Sequence, residues 1–204
     1  MNTVALFPVR WRRAWCLAAA MAMVGAAHAQ SPAKGSPEHI RVATAKVNAA
    51  FMKANTRQPA DWPSYGLDHA ETRFSRLNQI NASNVKDLGL VWSYNLESTR
   101  GVEATPLVVD GIMYVTASWS IVHAVDVRTG KRLWTYDPKV PRGGGFKGCC
   151  DVVNRGVALH EGKVFVASYD GRLIALDAAT GQKVWEKDTI IDRKFSYTIT
   201  GAPR

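Results

Sequence analysis

Two segments of the chain align without a gap at a spacing of 51 residues: DGIMYVTASWSIVHAVDVRTGKRLW, residues 110–134, and EGKVFVASYDGRLIALDAATGQKVW, residues 161–185. Such a period outranks any local reading, because it means that one supersecondary unit is stacked on copies of itself. Each copy holds a turn glycine (Gly111, Gly162), an alternating strand (residues 112–117 and 164–168), a second strand ending in Ala-x-Asp, a Thr-Gly turn and a closing Trp. This order predicts most of a four-stranded antiparallel sheet per repeat. In Thr129-Gly130 and Thr180-Gly181, glycine takes the positive φ that other residues resist. Repetition marks architecture, so Trp134, Trp185, Asp126 and Asp177 are expected to be structural, with the tryptophans packed between neighbouring sheets.

The expected fold class is therefore all-β: a β-propeller of Trp-docked four-stranded blades. A propeller closes with roughly four to eight blades. Only two full repeats fit before residue 204, with Val91-Trp92 in GLVWSYNL as the closing end of an earlier blade. The chain is expected to be the first part of a longer protein, and two blades alone would leave open sheet edges.

Residues 1–29 carry Arg10, Arg12 and Arg13 and no acid, then the apolar run WCLAAAMAMVGAA, then AHA before Gln30. That is the layout of a secretory signal peptide cleaved after Ala29. The apolar run is too short to span a bilayer, and Cys16 lies near its start rather than after it, where a lipid-modified cysteine would sit. The Arg12-Arg13 pair leaves the folded-protein export route open. Losing the three arginines takes the formal charge from +9 to +6. The remaining cations are scattered, with no basic run or aromatic-interleaved stripe, so nucleic acid is a poor partner for this exported chain. Nor does the chain itself argue for membrane association.

Residues 30–60 are read as a linker and a short helix. SPAKGSPEH is polar and Pro-containing, and IRVATAKVNAAFMKAN places Val42, Ala45, Val47, Ala50 and Phe51 at helix-compatible spacing. Residues 61–204 are then the incomplete propeller, entered by an extended lead-in, DWPSYGLDHAETRFSRLNQINASNV, expected to pack on it.

With Cys16 removed, Cys149 and Cys150 are the only cysteines of the mature chain. In an oxidising compartment they can pair. A bond between neighbours distorts the intervening peptide, and such strain is rarely kept without a use. The alternative left open by the residues alone is that each cysteine bonds a partner further along the chain.

GVEATP (residues 101–106), KGCCDVVNRG (147–156), the Trp-closed blades and TITGAPR (198–204) together resemble the pyrroloquinoline-quinone (PQQ) dependent alcohol dehydrogenases. The resemblance runs from about Asp61 to the end, and it implies a propeller of about eight blades. KGCCDVVNRGVAL and TITGAPR look most like the quinohaemoprotein branch, which implies a haem c domain beyond Arg204. HAETRFSRL departs from the family's usual lead-in, where a proline commonly stands at the position of Arg76; this touches packing and no site residue.

The resemblance implies a vicinal disulfide between Cys149 and Cys150 lying on one face of the quinone, a small polarisable ring over a flat π-system. It implies that Arg155 forks to a cofactor carboxylate or quinone oxygen, that the Thr200 hydroxyl bonds a carboxylate, and that Glu103 stands at the cofactor's edge. Two carboxylates would repel, so Glu103 is expected to accept from a ring N–H or to be held by Arg155. Asp151 and Asn154 are read as turn chemistry. His39, His69, His123 and His160 are scattered and read as structural or solvated. The implied reaction oxidises a primary alcohol to an aldehyde, with calcium polarising the quinone and electrons passing to a cytochrome or membrane quinone. Calcium ligands, the base and the opposite face of the cofactor are expected beyond Arg204, so no catalytic or metal residue is assigned within the chain. Two rivals remain: a non-catalytic Trp-docked scaffold of the cell envelope, and a PQQ dehydrogenase for methanol or polyols. The cysteine pair and the absence of a lipid-modified cysteine speak against the scaffold.

Overall fold

The computed structural model describes residues 31–204, apart from 56, 58 and 59 and the side chain of Cys149. The signal-peptide reading of residues 1–29 lies outside the described residues.

Strands β1 (Leu107–Val109), β2 (Ile112–Thr116), β3 (Val122–Asp126) and β4 (Lys131–Tyr136) form one antiparallel sheet in the order β1-β2-β3-β4. After β5 (Cys149–Val152), strands β6 (Ala158–His160), β7 (Lys163–Ala167), β8 (Arg172–Asp177) and β9 (Lys183–Asp188) form a second sheet in the same order. The 51-residue register reaches the backbone. Asp110 and Gly111 turn at φ 45° and 76°, Glu161 and Gly162 at 43° and 75°, the two positive values required by a hairpin turn matched to strand twist. The β3–β4 pairing slips between Ala124 and Val125, and the β8–β9 pairing slips between Ala175 and Leu176, the same place in the repeat.

The two sheets close on one another through alternating residues. Leu107, Val109, Ile112, Tyr114, Val122 and Ala124 of the first sheet and Leu159, Val164, Val166, Ile174 and Leu176 of the second share one buried cluster. Trp134 joins it, only 8 % exposed. Its indole lies over Gly181, where an added Cβ would stand 2.6 Å from the ring, and its Nε1–H donates to the Ala178 carbonyl at 3.0 Å. Trp92 repeats the arrangement one blade earlier, over Gly130 and donating to the Val127 carbonyl at 2.8 Å. Each tryptophan thus docks on the Thr-Gly turn of the following sheet. The turn is held by its aspartate: the Asp177 carboxylate accepts from the Ala179 and Thr180 amides and the Thr180 hydroxyl, and Asp126 accepts from Arg128. Trp185 remains 40 % exposed against Phe165.

Gly181 has φ 71°, so alanine there meets both backbone strain and the Trp134 ring. Gly181→Ala is expected to cost about 1–3 kcal/mol in urea unfolding of the full-length protein. Gly143, with nothing near its absent Cβ, serves as the near-neutral control.

The N-terminal region differs from the sequence reading. Two helices form where one was expected, α1 (Pro37–Ala45) and α2 (Ala49–Asn55), and α1 begins inside the stretch read as linker. Ser36 caps α1 by accepting from the His39 amide at 3.2 Å, with Pro37 in the first turn, a start that removes orphan amides. The expected apolar face is only partly kept: Val47 is buried and Phe51 packs against the core, but Ile40, Ala43 and Met52 supply the rest of the buried face, whereas Val42 is 58 % exposed and Ala45 and Ala50 are exposed. A break between the helices resets the 3.6-residue phase, which the single-helix reading cannot follow. Lys34 and His39 then tie the region to the first sheet through Asp110, at 2.8 and 3.1 Å.

The lead-in packs over its first part only. Trp62 bridges Val108 with two 2.8 Å backbone bonds, and Asp61 accepts from the Asp110 amide. Residues 71–90 are exposed.

Candidate quinone-binding wall

Three segments distant in sequence meet at Arg155. Its backbone is bonded on both sides: its amide donates to the Thr200 carbonyl at 2.9 Å, and its carbonyl accepts from the Thr105 amide at 3.2 Å. Its side chain repeats the bridge, with Nη1 donating to the Thr200 hydroxyl at 2.6 Å and Nη2 pairing with Glu103 at 2.9 Å. Arg155 thus holds Glu103, as one of the two expectations for that residue had it. Gly156 follows at φ 129°, with its absent Cβ pointing 3.0 Å from the Thr105 carbonyl, so a side chain would push the 105 segment away.

Asn154 sets this turn. It is 1 % exposed; its amide nitrogen donates to Ser120 Oγ at 3.1 Å and the Ala167 carbonyl at 2.9 Å, and its oxygen accepts from the Gly156 amide. A buried amide so fully bonded is structural, as the turn-chemistry reading expected.

The cysteine strand β5 follows a 3₁₀ turn over Arg142–Lys147. Tyr169 anchors that approach, its hydroxyl donating to the Gly145 carbonyl at 2.9 Å and accepting from the Gly148 amide at 2.8 Å. Trp119 stands edge-on to Tyr169 and carries the Arg142 guanidinium 4.5 Å above its ring. Sequence reasoning missed Tyr169, Trp119 and Ser120. Trp119 and Ser120 sit at φ 63° and 60°, a conformation that no glycine announces. Cys150 is exposed, and its pairing with Cys149 lies outside what the structure describes. Asp151 sits at φ 62° and is paired with Arg100, whose hydrogen bonds hold its carboxyl below the usual range.

The four histidines among the described residues stand apart from this wall. Burial pushes His123 down from its ordinary pKa, and its Nδ1 contacts the Tyr94 and Thr135 hydroxyls. His69 and His160 line a cavity of about 570 Å³ with Tyr65, Phe165 and Arg204, which contains none of Glu103, Cys150, Arg155 or Thr200. Among the described residues no three His, Cys, Asp or Glu side chains gather as a metal-ligand set, and no helix is long and apolar enough to cross a membrane.

Chemically, the wall offers a guanidinium with further N–H donors, a hydroxyl and a single acid that the guanidinium already neutralises. Arg155 and Glu103 are partly open, 32 % and 46 % exposed at their side chains. That donor set suits a planar polycarboxylate, since the arginine fork fits a carboxylate and the paired acid cannot repel it strongly. PQQ, a tricarboxylate, fits these residues.

The chain is 63 % identical over 193 residues to the quinohemoprotein alcohol dehydrogenase of Comamonas testosteroni, covering 95 % of this chain and 27 % of that protein. It is 69 % identical over 144 residues to the 1-butanol dehydrogenase (cytochrome c) of Thauera butanivorans, covering 71 % and 21 %. The crystal structure of the Comamonas testosteroni protein superposes with a TM-score of 0.81 at 67 % identity, over 82 % of this chain and 25 % of that one. The chain therefore spans about a quarter of the length of the relatives it matches. A sequence model described as the glucose/ethanol/alcohol dehydrogenase β-propeller domain matches residues 62–192, and with two Trp-docked four-stranded sheets and the Glu103–Arg155–Thr200 wall in place, the chain belongs to the PQQ-dependent alcohol dehydrogenase β-propeller family.

Proposed function

We propose that this chain supplies the first blades, and one wall of the cofactor site, of a periplasmic PQQ-dependent dehydrogenase that oxidises primary alcohols to aldehydes. The observation that carries the reading is Arg155 bonded at once to Glu103 and Thr200 while remaining partly open. A scaffold blade has no need of such a wall. When bound, the quinone supplies the hydride acceptor. The protein's part here is to bind and orient. Arg155 and Thr200 would hold a carboxylate edge, Glu103, paired with Arg155, would accept from a ring N–H, and the Cys149–Cys150 pair would cover one ring face. No calcium ligand set gathers among the described residues. Relatives named as cytochrome c-linked and as quinone-linked alcohol dehydrogenases support a cytochrome or membrane quinone as electron acceptor, and the quinohemoprotein relative supports a haem c domain further along the parent chain.

The test is reconstitution: full-length apoprotein given PQQ and calcium should reduce an artificial dye in a manner that depends on primary alcohol. Tight PQQ binding without any alcohol-dependent reduction would sink the enzymatic reading.

Replacing both cysteines by alanine should abolish most of that activity while leaving the apoprotein's thermal midpoint nearly unchanged, because a cross-link closing so short a loop adds little chain-entropy stabilisation. Non-reducing mass spectrometry should find both sulfurs bonded within one peptide. A bond from either cysteine to a distant residue would overturn the cofactor-facing role.

Export is checked at the N-terminus. The AHA-Gln30 junction gives Gln30 as the first residue of the mature periplasmic protein, and N-terminal sequencing that began at Met1 would contradict it.

A further inference from the structure

The wall contains a second ion pair that the cofactor reading leaves unused. Arg100 and Glu103 lie on one segment, Asp151 and Arg155 on another, and the two segments are joined by Arg100–Asp151 and Glu103–Arg155. The charges alternate, positive then negative on the first segment and negative then positive on the second. In addition to the Nη2 contact, Arg100 Nε donates to Asp151 Oδ2 at 2.9 Å, so the guanidinium engages both carboxylate oxygens, the geometry that gives arginine pairs their directionality. The neighbouring backbone amides of Val152 and Gly101 help Arg100 to hold this carboxyl below the usual range. A carboxylate on the cysteine strand is thus gripped by the segment that carries Glu103.

Asp151 does this from φ 62°, a conformation costly for most residues and tolerated best by Asp and Asn. The neighbouring backbone is therefore turned to aim the carboxylate at Arg100. Arg100 is 49 % and Asp151 31 % exposed at the side chain, too open for the pair to add much to overall stability. Its geometry suits alignment instead.

We propose that Arg100 and Asp151 are positioning residues: they lock the cysteine strand to the Glu103 segment, so that the ring face formed by Cys149–Cys150 and the edge formed by Glu103, Arg155 and Thr200 are presented to the quinone as one rigid unit. The proposal rests on the PQQ reading of this wall. As positioning residues they would act through Glu103, Arg155 and the cysteine pair rather than on the cofactor itself. With the lock released, face and edge still exist but must be brought into register when the quinone binds, and that ordering is subtracted from affinity.

The experiment uses the full-length apoprotein with Arg100→Ala, Asp151→Asn, the double variant and Arg100→Lys. PQQ affinity is measured by titration, and backbone hydrogen exchange is followed in peptides covering residues 97–103 and 149–153. Arg100→Ala and Asp151→Asn are each expected to weaken PQQ binding about tenfold. The double variant should be no weaker than the worse single variant, since both remove one interaction. Exchange should quicken in both peptides, including in the one that carries no mutation, while the thermal midpoint of the apoprotein holds. Arg100→Lys keeps the charge without the fork, so it should fall between the wild type and Arg100→Ala; it also serves as the readout should Arg100→Ala fail to fold. Unchanged affinity, or single effects that simply add, would overturn the proposal. If the unsubstituted protein does not bind PQQ, the functional reading fails and takes the lock's purpose with it, while exchange still reports separately whether the two segments are coupled.

Discussion

Replacing Arg155 by alanine is expected to lower the PQQ affinity of the full-length apoprotein by about a hundredfold or more. The reason lies in what the side chain does at once. It holds Glu103 at 2.9 Å and Thr200 at 2.6 Å, and in the proposed site it would offer its remaining N–H groups to a cofactor carboxylate. Without it Glu103 faces a tricarboxylate with no cation beside it, so an attraction is exchanged for a repulsion. The fold should survive, because the backbone bonds from the Arg155 amide to Thr200 and from the Thr105 amide to the Arg155 carbonyl do not involve the side chain. Arg155→Lys restores the charge, but a single ammonium cannot reproduce the fork, so an intermediate affinity is expected. Titration of PQQ into the three apoproteins decides the matter. A change of less than about threefold for Arg155→Ala, with the thermal midpoint intact, would mean that this wall does not face the cofactor.

The legible part of this protein was the part written twice. Copying Asp110-Gly111 as Glu161-Gly162 and Thr129-Gly130 as Thr180-Gly181 exposed the turns, and the shared turns fixed the strands between them. The site segments could be read individually through resemblance, and the structure brings the side chains of Glu103, Arg155 and Thr200 together. What escaped were features with no copy and no local signal. Arg100 stands just outside the motif that begins at Gly101, and nothing in the sequence says that its partner is Asp151, whose positive φ is hidden behind a non-glycine residue. Trp119 and Ser120 take positive φ without a glycine, held by tertiary contacts such as Ser120 Oγ accepting from the Tyr169 amide at 2.9 Å. The N-terminal helices failed for a different reason. The stretch lacks both a glycine and a proline at the break after Ala45, so one period was read through two helices whose buried faces differ in phase.

Trp134→Ala is expected to destabilise the propeller by about 3–5 kcal/mol, the usual range for emptying a buried aromatic site. Trp134 fills the gap between the two sheets, close to Tyr114 with ring centroids 5.8 Å apart, and lies on the flat surface left by Gly181. Gly181 has no side chain with which to fill the gap left behind. The hydrogen bond is the smaller part of the effect. The Ala178 carbonyl accepts from Trp134 Nε1 and from the Tyr114 hydroxyl, both at 3.0 Å, so losing one donor leaves the carbonyl satisfied. Trp134→Phe separates the two contributions. It keeps an aromatic ring over Gly181 and gives up the donor, and it should cost well under half as much as alanine, about 1–2 kcal/mol. Urea unfolding followed by the fluorescence of the remaining tryptophans measures both. Equal losses for phenylalanine and alanine would place the stabilisation in the Nε1–H bond and refute docking by ring contact. A loss below about 1 kcal/mol for alanine would show that the sheets close without the tryptophan, and the rule that each blade is fastened by its predecessor's closing residue would fall with it.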